Sequence, residues 1–258
     1  MFFDNNGRCL AKLTNFPVYK NSRNYFSLDK DIKDKVDLKN IYLNYNKNYN
    51  LKINVSFEEF QSKINNISKS ILSNEKIKNI NNGVGFPFII PKLDNPDIGS
   101  NLKDIFIPAL KKSYLSKFPN YDFINHIKDD LSNKIDTWKD SRYQKILSAS
   151  KEKDIIGILY PCLNEFSFPA ANDIIKKLPN NLILSGGYEI FSALIGTPDL
   201  LFKEDKYPPL LWFSSMKNNK DENLSYHIES YGYNLTLNER AHLNQAAEYW
   251  WHSLSVIG

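Results

Sequence analysis

Three short polar segments follow apolar runs that are typical of buried strands, and each segment carries groups that can do chemistry. The segments are Asn125-His126, Glu165 and Ser185-Gly186-Gly187. Imidazole and carboxylate side chains are common general acids and bases, and glycine lets a backbone approach an anionic group closely. If the three segments adjoin, we expect His126 and Glu165 to act as the catalytic acid and base.

The ligand is expected to lie against two of these strand ends and the start of the helix that follows the second. In open α/β sheets, ligands bind beyond the carboxyl ends of parallel strands, where helix N-termini offer free amide donors. The predicted ligand-binding residues are Asn125, Ser185, Gly186, Gly187, Tyr188 and Glu189. The Gly-Gly turn has neither the GxGxxG spacing of dinucleotide sites nor the lysine of a P-loop, so a plain turn is the alternative.

The order of elements around these segments predicts a β-α-β unit. A buried strand is expected over Asp154–Leu163, a helix from about Ala170 to Leu178, a second strand over Leu182–Leu184, and a helix from about Tyr188 to Ile195. Alternation of strands and helices is typical of a parallel sheet with its ligand edge at the strand C-termini.

A possible internal repeat would supply a second such unit. Gly83–Ile89 aligns with Gly157–Leu163 in its glycine, aromatic, proline and aliphatic positions, and each copy is followed by a helix that ends in Pro-Asn. Two β-α-β halves side by side would form a parallel core. The alternative is that buried strands and helix ends reuse the same few residue types.

Local patterns predict the elements before this core. Apolar residues alternate between Lys35 and Val55, which predicts a β-hairpin. Ser56 and Glu59 form a capping box ahead of a helix. The apolar stripe of that helix consists of Phe60, Ile64, Ile67 and Ile71.

Further helices and strands complete the predicted chain. A helix that begins near Ser100 should be kinked or split by Pro108, and another helical region covers about Lys128–Ser150. Beyond Pro198, short strands separated by polar turns are expected to pair antiparallel. A closing helix from Asn238 would carry Trp250-Trp251, which cannot both face one core.

The predicted fold is therefore a three-layer α/β structure around a central mixed, mainly parallel sheet. Two β-α-β units form its core and antiparallel strands extend it at the C-terminal end. A single domain over residues 1–258 is expected, with a possible subdivision into residues 1–80, 81–198 and 199–258.

Composition narrows the class of protein. The net charge of +4 comes from 33 basic and 29 acidic side chains that are interspersed, which is unlike the concentrated basic face of a nucleic-acid binder. No apolar run is long enough for a membrane span, and no secretory signal is evident. We expect a soluble protein of a reducing, cytoplasmic compartment, with export by a route without a signal peptide as the alternative.

Other chemical motifs are weaker. Cys162 lies in a predicted buried strand, where a thiol behaves as a small apolar group. His227 and Glu229 fall on one face of a strand, but no third ligand is within reach, so no metal site is predicted. No cofactor is identified by any motif.

Two functions from different classes are compatible with these patterns. The first is binding of a small polar or anionic ligand, sugar- or nucleotide-like, at the strand ends, with enzymatic turnover left open. The second is a non-catalytic interaction protein, a host-directed factor of an AT-rich bacterium, that binds a protein partner or a second copy through the helix with Trp250-Trp251.

Overall fold

The computed structural model of the chain describes residues 1–28, 37–138, 141–204 and 207–258. Its helices are α1 (Leu38–Asn48), α2 (Phe57–Leu72), α3 (Ile98–Asn101), α4 (Ile107–Lys117), α5 (Gln144–Glu152), α6 (Phe168–Lys177) and α7 (Gly187–Gly196). Its strands are β1 (Phe86–Ile90), β2 (Phe123–Asn125), β3 (Ile135–Thr137), β4 (Ile155–Asn164), β5 (Ile183–Leu184), β6 (Leu210–Trp212), β7 (Met216–Asn218), β8 (Ser225–Tyr231), β9 (Asn234–Arg240) and β10 (Trp250–Ile257).

A mixed sheet of eight strands, flanked by helices, forms the centre of the described structure. Its order is β1-β4-β10-β6-β8-β9-β2, and β5 also pairs with β10; β3 and β7 form a separate pair. The predicted α/β class with a central mixed sheet is confirmed, and so is the antiparallel pairing of the C-terminal strands β6, β8 and β9.

The expected mainly parallel core of two β-α-β units is wrong. Strand β1 pairs antiparallel with β4, and β10 pairs antiparallel with both β4 and β5. Parallel pairing is confined to β10 with β6 and β2 with β9. Strands β4 and β5 do run in the same direction around α6, but β10 lies between them, and this insertion is what removes the parallel ladder.

The two halves of the possible repeat also occupy different places. The strand after the first half, β2, pairs with β9 at one edge of the sheet, whereas the strand after the second half, β5, pairs with the central β10. The two segments of similar sequence therefore do not have the same topology.

Helix α2 forms as its local signals predict. The Ser56 side chain accepts a hydrogen bond from the Glu59 amide, which satisfies one of the free donors at the helix start. All four residues of the predicted stripe are buried, and the helix packs against β4.

The helix around Pro108 is divided, as predicted. A π-helical turn over Leu102–Phe106 separates α3 from α4, and Pro108 lies in the first turn of α4. Proline cannot donate the amide hydrogen bond of a helix interior, so the wider turn before it accommodates the missing donor.

Three predicted elements are wrong. The hairpin between Lys35 and Val55 is replaced by helix α1, and its first residues, 35 and 36, lie outside the described residues. The helix over Lys128–Ser150 is replaced by β3 and the shorter α5, with residues 139–140 not described. The closing helix is the central strand β10.

Strand β10 explains the two tryptophans. Trp250 and Trp251 point to opposite faces, as neighbours on a strand must, and they are only 3% and 5% exposed. A central strand has both faces covered, so every residue from 250 to 256 is buried. The predicted partner-binding Trp-Trp helix therefore does not exist.

One large hydrophobic cluster extends through the sheet and its helices, with members from Phe3 to Val256. A smaller aromatic cluster of Phe168, Trp212 and Trp250 packs beside it. Among the described helices, none has the length and apolar character that a membrane crossing requires.

Candidate functional site

Asn125 and His126 lie at the far edge of the sheet from Glu165. Strand β2, which ends at Asn125, is the last strand in the sheet order, and four strands separate it from β4. Both side chains are exposed, and Asn125 Oδ1 accepts a hydrogen bond from the Ile127 amide at 3.0 Å. His126 and Glu165 therefore do not share a rim, and that predicted geometry is wrong.

The Gly-Gly turn is buried rather than open. A Cβ on Gly186 would lie 2.6 Å from the Tyr143 ring, and one on Gly187 would lie 3.0 Å from Leu102. Ser185 is fully buried, and its hydroxyl is 2.7 Å from that of Ser255. Side chains therefore fill the space in which a ligand would have to approach this turn.

Glu189 closes this turn from inside the protein. Its Oε2 accepts a hydrogen bond from the Tyr143 hydroxyl at 2.6 Å, and its Oε1 accepts one from the Gly186 amide at 3.3 Å. Burial raises the pKa of Glu189 to about 7. Tyr188, another of the predicted ligand-binding residues, borders a polar space of about 280 Å³, and Asn101 donates to its hydroxyl.

Strand register explains why the Gly-Gly turn and the end of β4 do not meet. Leu184, the last residue of β5, pairs with Leu254, whereas Asn164, the last residue of β4, pairs with Trp251. These two levels are three residues apart on β10, which corresponds to roughly 10 Å along the strand.

One of the three predicted strand ends does border a cavity. The space, about 270 Å³, lies where β4 ends beneath the N-terminal segment of the chain, and we name it the β4-end cleft. Its described lining residues are Asn6, Gly7, Arg8, Asn24, Ser27, Leu28, Ile80, Gly83, Val84, Pro161, Cys162, Asn164 and Trp251.

Two buried polar atoms belong to the wall of the β4-end cleft. Asn164 is 7% exposed and Trp251 is 5% exposed, and within the described structure neither Asn164 Oδ1 nor Trp251 Nε1 has a hydrogen-bond partner. Native proteins leave few such atoms unpaired, because the loss of water contacts is not offset. The residues that line the cleft thus include one unpaired buried acceptor and one unpaired buried donor.

Charged side chains gather beside the cleft. Arg8 lines it and donates from Nη1 to Asn24 Oδ1 at 3.3 Å. Glu248 accepts a hydrogen bond from the Arg23 amide at 2.6 Å. Burial raises the pKa of Glu165, and the field of Glu248 raises it further, although Ser22 and Arg8 oppose the shift.

Glu165 has an uncommon backbone conformation. Its φ of 71° lies in the left-handed region, which few residues other than glycine and asparagine adopt. Its amide donates to the Trp250 carbonyl at 2.7 Å, and its carbonyl accepts from the Tyr19 amide. These bonds on both sides hold the turn that carries the carboxyl group out of β4.

Gly7 allows the N-terminal segment to close over the cleft. Its φ is +80°, and a Cβ there would lie 2.3 Å from the Gly83 amide nitrogen. Only glycine fits this close approach of two backbones.

The two cysteines, Cys9 and Cys162, are buried free thiols, and burial raises the pKa of Cys9 to about 12. Cys162 is therefore a packing residue, as its apolar surroundings predicted.

His126 instead neighbours a second polar group on the sheet. His227 Nε2 lies 3.5 Å from Glu229 Oε1 on β8, and Asn238 donates to the same oxygen at 3.2 Å. Burial raises the pKa of Glu229, but His227, Arg240 and His126 outweigh it and hold that pKa below its ordinary value. In the described part of the chain, no three histidine, cysteine or acidic residues are grouped to hold a metal ion.

The comparisons with known proteins assign no family. No protein-family model matches the sequence, and no curated protein and no solved structure shows significant similarity to it. The geometry defines a mixed α/β protein with a small polar cleft at the end of β4.

The residues that sequence reasoning missed are Arg8, Asn164 and Trp251. Asn164 carried one usable signal, since it is a polar residue at the end of an apolar strand and directly precedes Glu165. Arg8 and Trp251 carried none, because they reach the cleft only through contacts between the two ends of the chain.

Proposed function

We propose that the protein binds a small hydroxylated ligand, a single sugar ring or a nucleoside-sized compound, in the β4-end cleft. The observation that carries the proposal is the pair of unpartnered buried atoms, Asn164 Oδ1 and Trp251 Nε1, among the residues that line it. One hydroxyl or amide of a ligand can accept from the indole and donate to the amide oxygen.

The size and lining of the cleft support this class of ligand. Its volume of about 270 Å³ lies just below the usual range of small-molecule pockets, so a single ring is favoured over a dinucleotide. Leu28, Val84 and the Trp251 ring provide an apolar wall, and Arg8 can meet an anionic substituent. If the bound ligand reacts, Glu165 is the carboxyl group next to Asn164, and burial raises its pKa.

The rival hypothesis, a protein-interaction module, has lost one of the features that motivated it, the exposed pair of tryptophans. Trp250 and Trp251 are buried in the sheet instead of being exposed on a helix. Tyr231 is 79% exposed at the turn between β8 and β9, but single exposed aromatic residues are common on protein surfaces.

Binding should be tested by titration calorimetry with neutral sugars, uronic acids, sugar phosphates and nucleosides. Asn164→Leu removes the unpaired oxygen while it keeps the shape of the side chain, so the unliganded protein should be as stable as the wild type or more stable. Its affinity for the ligand should fall by about tenfold or more, because one hydrogen bond is lost.

Trp251→Phe should lower the affinity in the same way, and Trp250→Phe is the matched control. The Trp250 indole is also buried and unpaired, but it packs in the aromatic cluster away from the cleft. The proposal fails if no compound of the panel binds, or if Trp250→Phe weakens binding as much as Trp251→Phe does.

A further inference from the structure

A second and larger cavity lies among helices. It has a volume of about 470 Å³ and is bordered by α1, α4 and the C-terminal end of α7; we name it the α7-end cavity. None of its described lining residues is shared with the β4-end cleft. Its volume lies within the usual range of small-molecule sites.

The helix end that faces the cavity is already capped by the protein. Asn44 donates to the Gly196 carbonyl at 2.9 Å, and Ser113 donates to the Ile195 carbonyl at 2.8 Å. These two carbonyl groups at the end of α7 therefore already have hydrogen-bond partners and need neither water nor a ligand.

Two buried polar atoms on the cavity wall remain unpaired. Asn48 is 2% exposed; its Nδ2 donates to the Asn44 carbonyl at 2.9 Å, but its Oδ1 has no partner in the described structure. Thr197 is 9% exposed, and its hydroxyl also lacks a partner there. The residues of the wall thus include one unpaired buried acceptor and one unpaired buried hydroxyl that can donate or accept.

Charges of opposite sign line the same cavity. Lys117 and Asp199 both border it, and across the described residues neither side chain forms an ion pair or a hydrogen bond. Lys47 is engaged with the Ser116 hydroxyl at 2.8 Å, and Asp37 caps α1. One cation and one carboxylate are therefore left to face the cavity without a protein partner.

We propose that the α7-end cavity binds a small zwitterion that carries an ammonium group and a carboxylate. The carboxylate would meet Lys117, and the ammonium group would meet Asp199 and Asn48 Oδ1, with Thr197 as an adjustable partner. Lys117 is exposed and Asp199 is half-buried, and this ligand would pair both charges through charge-assisted hydrogen bonds.

Other ligand classes leave groups unpaired. A purely anionic compound would bring its charge against Asp199 and leave Asn48 Oδ1 without a donor. A purely cationic compound would face Lys47 and Lys117, and an apolar compound would pair none of these groups. Unpaired and like-charged contacts of this kind are what discriminates against a wrong ligand.

Titration calorimetry with a graded set of amino acids tests the proposal. The probes are the free α-amino acids and the series glycine, γ-aminobutyrate, δ-aminovalerate and ε-aminocaproate, which varies the distance between the two charges. Valerate and pentylamine are the matched comparators, since each keeps the chain of δ-aminovalerate but only one charge. We expect a zwitterion to bind at one site per chain. The compounds with a single charge should bind with an affinity at least about tenfold lower.

Variants locate the site. Lys117→Met and Asp199→Asn should each weaken binding of the zwitterion by about tenfold or more, and circular dichroism should show that both variants fold. Lys111→Met is the control, because Lys111 is an exposed lysine on the same helix that does not line the cavity.

Four results would overturn the proposal. The first is that no zwitterion binds, and the second is that valerate or pentylamine binds as tightly as the zwitterion. The third is that binding survives both Lys117→Met and Asp199→Asn. The fourth is that binding is lost in Trp251→Phe, which would place the compound in the β4-end cleft instead. The test does not depend on the function proposed for that cleft.

Discussion

At the scale of single residues, the buried carboxyl group of Glu189 makes the free energy of unfolding depend on pH. Its ordinary pKa is 4.5, and burial raises this to about 7 although Tyr143 and Gly186 donate hydrogen bonds to it. A chain that unfolds at neutral pH releases a proton from this group. The stability associated with the buried proton is therefore present below pH 4.5 and is lost as the pH rises through about 7.

Glu189→Gln should remove this pH dependence. The amide oxygen can still accept hydrogen bonds but does not ionise, so the variant should exceed the wild type in free energy of unfolding by about 3 kcal/mol near pH 8 and by little near pH 4. Urea unfolding at a series of pH values measures the difference. Glu58→Gln, an exposed residue on α2, is the control; a Glu189→Gln difference that does not change with pH would contradict the assignment.

At the scale of elements, the signals that succeeded are those confined to a single element. Helix α2 was predicted because its cap and its stripe lie within sixteen residues of one another. Helix α1 was missed although Leu38, Tyr42 and Tyr45 are spaced by four and three residues, which is helical spacing and not alternation. Asp37 was a second available signal, because it caps α1 by accepting from the Lys39 and Asn40 amides.

The cap of α2 provides a prediction at this scale. Ser56→Ala should lower the free energy of unfolding by about 1 kcal/mol, because the Glu59 amide loses its acceptor. Ser62→Ala is the matched control, since Ser62 is exposed in the middle of the same helix and alanine favours a helix interior. Urea unfolding of the two variants measures both values, and equal stability of the two would show that the cap contributes nothing.

At the scale of the whole molecule, the fold depends on a strand that comes last in the chain. Strand β10 lies between β4 on one side and β5 and β6 on the other. The sequence predicted β4, α6, β5 and α7 as a local unit, but nothing in those residues indicates that Trp250–Ile257 separates β4 from β5. Pairing across such a distance is set by total burial in the final structure, so the site residues Trp251 and Arg8 could not be predicted from local patterns either.

The same central strands make the whole fold sensitive to acid. His252 on β10 is fully buried between the Ser214 hydroxyl and the Phe166 carbonyl, each 2.8 Å from a ring nitrogen. Burial lowers its pKa from 6.5 to about 4, and burial also lowers the pKa of His227 on β8. A histidine of this kind contributes stability above pH 6.5 that is lost as the pH falls towards about 4, because the unfolded chain binds the proton first.

Between pH 7 and pH 5 the His252 contribution should therefore fall by about 2 kcal/mol. His252→Gln keeps an acceptor for Ser214 and a donor for Phe166 but does not titrate, so its free energy of unfolding should change less over this range than that of the wild type. His126→Gln is the control, because His126 is exposed and directly follows the edge strand β2. Urea midpoints at the two pH values decide the matter: if His252→Gln and His126→Gln lose equal stability on acidification, the acid sensitivity does not arise from the buried imidazole at the centre of the sheet.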